Sequence, residues 1–412
     1  MASKLDSAAA PVLGGQVREA TSAEPADHSL KTSGAGWRGK LAGGLYHSGF
    51  LRFVNRISRQ YELNRNSSSG RLRGRKAEKP KFLILCYHRV GTGGVPLYSE
   101  LAPEIFEAQM RYLKNNFRIV PLQEVYRDVQ EPSNSEPGVA VTFDDGYRDL
   151  YRHAFPVLTK YRIPATVFLI ADCVDSGQPA WYDRIFLAFR MMPAGRFEIQ
   201  IDRLRSFELG SWASRLRSAL EAVSYLKKLP NQQRKKCSTE IESRAQIPCE
   251  ELEGHMLDWE QIRAMQMGGV AFGSHTVTHP VVSRLTVSEL EYELTEAKKR
   301  LEEGLQTAVP DFAFPFGGLE DCGPDANTAL RHYGYRSAVT TFPGVNVPGT
   351  NPLALRRIQI GDEHASIPMF AFHLSKHFLV VNRADETDTV EMESAPRNRQ
   401  DPSQALKGSR HA

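Results

Sequence analysis

Short apolar runs separated by helical periodicity set the pattern of this chain. Phe82-Leu83-Ile84-Leu85-Cys86, Val139-Ala140-Val141-Thr142-Phe143, Pro164 to Ile170 and Val270-Ala271-Phe272-Gly273 are each four to seven residues long with no polar alternation. Runs of that kind predict strands buried on both faces, as in a parallel sheet. Between them, the spacing predicts helices over Pro103 to Asn115, Arg148 to Tyr161 and Trp259 to Met267, the last capped by Asp258 and stopped by Gly268-Gly269. Thr286-Val287-Ser288-Glu289 is a capping box opening a helix to about Gln306. Short strands at Asp311–Phe314, Arg336–Val339 and Leu355–Ile360 continue the alternation. Repeated strand–helix units imply an α/β fold on a parallel sheet.

Outside that frame the pattern changes three times. Residues 1–36 are rich in Ala, Ser, Gly and Glu and predict disorder, and the polar tail from about Asn382 predicts the same. Between Leu41 and Leu63, the residues Leu45, Phe50, Phe53, Val54, Ile57 and Tyr61 share a helical face, with Arg52, Arg56 and Arg59 mostly opposite. Such a helix either packs on the body of the protein or lies on an anionic membrane surface. Asn64 to Pro80 then forms a linker. The third change lies between Tyr182 and Leu257, where Asp183–Met192 and Ser211–Lys228 carry helical patterns and predict a helical insertion after a strand end. The expected layout is thus residues 1–80 as a basic leader segment, 81–380 as the main domain with its insertion near 182–257, and 381–412 as a tail.

Composition adds two constraints. The 412 residues are 41% hydrophobic and 24% charged, which is ordinary for a globular protein. Residues 1–80 carry a net charge of +8, however, and the remainder −4, so the body is mildly acidic. The basic run near residue 71 has no interleaved aromatics, which argues against nucleic acid as a partner. No stretch has the apolar core of a signal peptide or of a spanning helix. Five cysteines at no metal-like spacing predict a reducing, cytoplasmic setting, peripheral to the membrane if the helix near 41–63 binds there.

Candidate chemistry sits at two strand ends. Asp144 and Asp145 follow the run ending at Phe143, and adjacent residues on extended chain point in different directions, so the two acids can serve different purposes. The bland alternative is a pair of turn aspartates, one capping the next helix. His275 and His279 follow the second run. Two histidines and a carboxylate make the usual three-ligand set of catalytic zinc, leaving a fourth position for water. The other aspartate is then placed to act as a base.

These residues resemble a known family. Thr142-Phe143-Asp144-Asp145-Gly146, then Ser274-His275-Thr276-Val277-Thr278-His279, then Phe314-Pro315-Phe316-Gly317, are similar in order and type to three motifs of the polysaccharide deacetylase (NodB-homology) family of carbohydrate esterases. The resemblance runs from about Phe82 to about Ile360. It implies a distorted, incomplete (β/α) barrel, with Asp145, His275 and His279 holding a divalent metal ion (Zn2+) and Asp144 as general base. It also implies that the backbone N–H of Phe316 helps hold the oxyanion, with Pro315 shaping the loop. Two features depart from the family: Ala313 stands where an arginine usually tethers the base, and Leu355-Arg356-Arg357 occupies the region of a late catalytic histidine. Arg356 or Arg357 is then left to orient Asp144 from another strand. His88 is taken as the proton donor because it ends the first strand, with His364 as the other choice and a purely structural role open for each. Trp181, opening the insertion, is either a sugar-contacting surface or an anchor in the core. The expected activity is removal of N-acetyl groups from amino-sugar units of an envelope or extracellular glycan. The alternatives are an O-acetyl carbohydrate esterase and a catalytically silent glycan-binding module.

Overall fold

A computed structural model describes residues 80–92, 100–131 and 136–379. The amphipathic stretch Leu41–Leu63, the segment 1–36, nearly all of the linker and the tail lie outside the described residues.

The main sheet has seven strands, numbered here in chain order: β1 (Phe82–Tyr87), β2 (Gly138–Phe143), β3 (Ala165–Leu169), β4 (Ala271–Ser274), β5 (Asp311–Ala313), β6 (Ser337–Val339) and β7 (Ile358–Gln359). Their spatial order is β6-β5-β4-β3-β2-β1-β7, and every pairing is parallel. Parallel neighbours need crossovers, which the predicted helices supply. Side chains alternate between two apolar clusters. Leu83, Leu85, Val139, Val141, Val167 and Leu169 pack under the helices. Phe82, Ile84, Ala140, Phe168, Ala313, Val339 and Leu355 form a separate cluster, joined by Val120, Leu122, Val125 and Val129 from the segment around helix Leu122–Gln130. Residues from both ends of the sheet can meet in one cluster only if the sheet curls, so this second cluster fills a barrel interior.

The barrel is closed by one irregular segment. Leu355 bridges to Val339 of β6, while Ile358 and Gln359 pair with Leu85 and Cys86 of β1. The fold is therefore an incomplete barrel of unequal strands. Close packing inside it leaves no room for a side chain at Gly273, where an added Cβ would lie 2.5 Å from the Phe168 ring and 2.9 Å from the Asp311 carbonyl.

Most predicted elements form within a residue or two of their expected limits, including the helices Pro103–Asn116 and Trp259–Met267. Both capping boxes are present, Asp258 with Gln261 and Thr286 with Glu289. The helix expected from Arg148 begins instead with a π-helical turn over Leu150–Ala154. The insertion is not helical throughout. After helix Trp181–Met191 comes an antiparallel hairpin, Arg196–Gln200 against Leu204–Glu208, then helices Trp212–Leu226 and Asn231–Ala245. It has its own apolar core, in which Phe186, Phe189, Ile199, Phe207, Ala222 and Ile241 are buried. Its return is tied to the body: Arg148 N–H donates to the His255 carbonyl and Leu257 N–H to the Gly146 carbonyl. Among the described residues no helix is long and apolar enough to cross a membrane.

Candidate metal and catalytic site

The site lies where β1, β2 and β4 end. After Phe143 the chain turns sharply, with Asp145 (φ 71°) and Gly146 (φ 80°) both left-handed. A non-glycine residue held there is strained, a cost that structures keep mainly at functional positions. The turn separates the two aspartates, and both are buried.

Asp144 faces Arg357. The guanidinium gives a two-pronged pair, Nη1 to Oδ1 at 2.7 Å and Nη2 to Oδ2 at 2.6 Å, while Nε donates to the Thr340 carbonyl at 2.8 Å. Arg357 is wholly buried and comes from the segment that closes the barrel. Of the two arginines left open by the sequence, Arg357 is the one that reaches the acid. Burial alone would raise the Asp144 carboxyl, but Arg357, joined by His275 and His88, outweighs it and holds the group well below the usual carboxylate range. The Cys86 thiol adds a weaker donor to Asp144 Oδ2 at 3.5 Å.

Asp145 has the opposite surroundings. Its carboxyl is pushed well above the ordinary value by burial, then by Asp144 and Asp183, with the nearby Tyr182 hydroxyl opposing. Neither of its oxygens has a protein hydrogen bond of ordinary geometry. Instead, Oδ1 lies 3.5 Å from Nε2 of His275 and 3.5 Å from Nε2 of His279, and those two nitrogens are 3.2 Å apart. Donors bound at about 2.0–2.1 Å around a tetrahedral ion stand roughly 3.3–3.4 Å from one another. The triangle has that size. The tautomer also fits, because His275 Nδ1 lies 2.8 Å from the Ala313 carbonyl, which can only accept. Its proton is therefore on Nδ1, and the Nε2 lone pair faces the centre of the triangle. A buried carboxylate with no hydrogen bond of ordinary geometry and two converging imidazoles suit a divalent cation.

The ligand loop is held from several sides. His279 and Thr276 both take left-handed backbone angles, φ 52° and 69°. Thr276 Oγ1 accepts from the His279 N–H at 3.0 Å. Trp181 donates its indole N–H to the His279 carbonyl at 2.9 Å, and the rings of Tyr182 and Phe316 stand edge-on to the His279 imidazole at 4.9 and 4.7 Å. The structure thus buries Trp181 to 3% exposure and places the Arg234 guanidinium over its ring. Phe316 (φ 61°) turns its ring against His279, Trp181 and the Lys227 ammonium, just after Pro315.

His88 is half-buried near Asp144, and Cys86, His88 and Asp144 offer ligand atoms within 4.8 Å of one another. Burial lowers its imidazole to about 4, against the opposing pull of Asp144, so it is neutral near pH 7 and poor as a standing acid. His364 packs instead against His373 and accepts from the Gly361 N–H, away from the two aspartates. Sequence reasoning passed over a further group beside the site. Tyr147 donates to Asp183 at 2.7 Å, and Arg89 pairs with Asp149 and Glu100 at 2.8 and 2.9 Å. Burial pushes Asp183 up to about 7 and Asp149 to about 6.

The chain is similar to known proteins of one family. The family profile for polysaccharide deacetylase matches residues 131–338. YxkH of Bacillus subtilis (strain 168), a protein named for that family, is 23% identical over 288 residues, covering 69% of this chain and 74% of its own. The poly-beta-1,6-N-acetyl-D-glucosamine N-deacetylase of Staphylococcus epidermidis is 34% identical over 116 residues, which is 24% of this chain and 40% of that enzyme. Among solved structures, the Streptococcus pyogenes deacetylase PplD in complex with acetate aligns with 72% of this chain and 99% of its own, at 19% identity and a TM-score of 0.49.

Proposed function

The chain belongs to the polysaccharide deacetylase family, and from that premise we propose that it removes N-acetyl groups from amino-sugar units of a polysaccharide or oligosaccharide in a divalent-metal-dependent hydrolysis. One observation carries the reading: two adjacent buried carboxylates, one neutralised by Arg357 and the other left facing two imidazoles. A silent binding module has no use for the first arrangement.

Asp145, His275 and His279 would hold the ion, and Zn2+ suits their donor set. Such an ion lowers the pKa of water and polarises an amide carbonyl. Asp144 is the base that takes a proton from the attacking water. Arg357 keeps it ionised and fixes both of its oxygens, so proton transfer needs no rearrangement of the side chain. The backbone N–H of Phe316 is assigned to the oxyanion, with Pro315 setting the turn. His88, which lies close to Asp144, is kept as the group that passes a proton to the leaving amine, after first receiving one. The name of the Staphylococcus epidermidis relative supports an N-acetylated amino-sugar polymer as substrate. An envelope or exopolysaccharide role, in a cytoplasmic setting peripheral to the membrane, belongs to the same proposal and is supported by the five unpaired cysteines and the basic leader.

The test is acetate release from matched N-acetylated and O-acetylated oligosaccharides, with and without chelator. N-acetylated substrates should release acetate, chelator should stop it, and added Zn2+ should restore it. Release from O-acetylated substrates alone would make the protein an esterase. Glycan binding with no acetate from either would make it a binding module.

A further inference from the structure

The loop between the two histidines has its backbone satisfied mainly from one place. Val277 N–H and Thr278 N–H both donate to Oε2 of Glu293, at 2.8 and 2.9 Å, and the Thr278 hydroxyl donates to Oε1 at 2.6 Å. Glu293 is only 1% exposed and sits on the inner face of helix Val287–Leu305. The loop carbonyls go elsewhere: Thr276 accepts from Ala171 N–H and Val277 from Asp172 N–H. A glutamate on a helix full of surface charge would normally point to water. Here it turns inward onto three donors of a loop whose two left-handed residues, Thr276 and His279, cost free energy to hold.

We propose that Glu293 is a positioning residue for the metal centre: its carboxylate clamps the Val277–Thr278 peptide segment and so sets the distance between His275 and His279. The inference rests on the assignment of His275, His279 and Asp145 as ligands. Glu293 touches neither imidazole. It acts through the backbone, as the groups behind metal ligands commonly do. An ionised carboxylate is acceptor-only and can serve all three donors at once, whereas a glutamine amide offers one oxygen and two N–H donors. Glu293→Gln can keep its oxygen on the two backbone N–H groups only by turning its amide N–H to the Thr278 hydroxyl, which reverses that bond, and it removes the negative charge from all three. The loop is then held less firmly at the geometry that keeps the two Nε2 atoms 3.2 Å apart.

The test is Co2+ titration of apo protein against a chelator of known affinity, at a temperature well below unfolding. For Glu293→Gln, the dissociation constant should rise roughly 10–100-fold, with altered visible bands of the bound Co2+. In the apo protein, the Val277 and Thr278 amides should exchange with solvent faster. Thr278→Val removes only the hydroxyl arm and should weaken binding by less than about tenfold, which keeps the test decisive if Glu293→Gln fails to fold. Unchanged Co2+ affinity in whichever variant folds, even with a lowered melting temperature, would reduce Glu293 to a structural residue and overturn the proposal. Wild-type protein that binds no Co2+ would overturn the ligand assignment itself, so the two failures are distinguishable.

Discussion

The two halves of the site are built from neighbouring residues and treat charge in opposite ways. On the Asp144 side, the carboxylate meets a buried guanidinium in a fork-to-fork pair, and the local charge is already balanced. On the Asp145 side, the carboxylate faces two imidazoles instead of a guanidinium. The difference teaches that a one-residue step along the chain is enough to separate a carboxylate paired with a guanidinium from one facing two imidazoles, provided the backbone turns between them. The left-handed angle at Asp145 makes that turn.

The largest expected effect is on the unbalanced half. Asp145→Ala, His275→Ala or His279→Ala should each abolish most divalent-metal binding, measured by metal content after dialysis, and turnover should fall to background with it. Full stoichiometry in a His275→Ala, His279→Ala double variant would sink the ligand set.

On the balanced half, Asp144→Asn keeps the shape but cannot accept a proton. Turnover should fall by roughly 10²–10⁴ at equal metal occupancy, with glycan affinity largely kept. Unchanged acetate release would remove Asp144 as the base.

Arg357 tests what balances that half. Breaking a buried pair typically costs about 3–5 kcal/mol, so Arg357→Met should melt earlier, and Arg357→Lys should melt between it and the wild type because it keeps the charge without the fork. The pH dependence has a definite sign. In the wild type, Asp144 is held below the usual range, so it stays ionised throughout mildly acidic pH, and its stabilisation is present above the unfolded aspartate pKa and lost only as pH falls below that value. Without Arg357, burial is opposed only by His275 and His88, and the carboxyl rises. The acid limb of the Arg357→Met activity profile should therefore move to higher pH, with turnover at neutral pH down by about 10–100-fold. An acid limb in the same place as the wild type's would show that Arg357 does not set the state of the base.

His88→Ala should cost less. Its imidazole is lowered to about 4 and already neutral at pH 7, so the expected loss of turnover is about tenfold or less. A loss equal to that of Asp144→Asn would make proton delivery by His88 as important as the base, and no loss at all would remove His88 as the acid.

Both motifs of the site were legible because each is local. Strand, acid pair and glycine are contiguous, and so are strand and His-x-x-x-His. What joins the halves was less legible. Arg357 stands 213 residues from Asp144, and the missing arginine at Ala313 pointed to Arg356 or Arg357 as the substitute without deciding between them. Ala313 instead packs in the barrel interior and lends its carbonyl to His275. Glu293 lies in Glu-Leu-Glu-Tyr-Glu-Leu, whose pattern reads as a solvated helix face, and only the loop packed against it distinguishes one glutamate from the others. The hairpin at 196–208 was missed for a similar reason. Phe197, Ile199 and Phe207 do alternate with polar residues, but three arginines across the two strands and their turn dilute the signal.

The smallest effect expected concerns Trp181, which joins the insertion to the unbalanced half. Trp181→Phe keeps an aromatic ring in the buried cluster but removes the indole N–H that satisfies the His279 carbonyl. Losing one such hydrogen bond costs about 0.5–1.5 kcal/mol, so the melting temperature should drop by a few degrees and metal affinity slightly. If Trp181 is an anchor, KM for the glycan should stay the same, since its ring has almost no surface to offer a sugar. If it is a sugar contact, KM should rise several-fold while metal affinity and melting stay put. The two outcomes move different quantities, and burial together with the 2.9 Å bond to the ligand's own carbonyl favours the first. In that case the insertion is more than an added unit with a core of its own. It holds one side of the loop that Glu293 holds from the other, and the spacing of the two histidines depends on both.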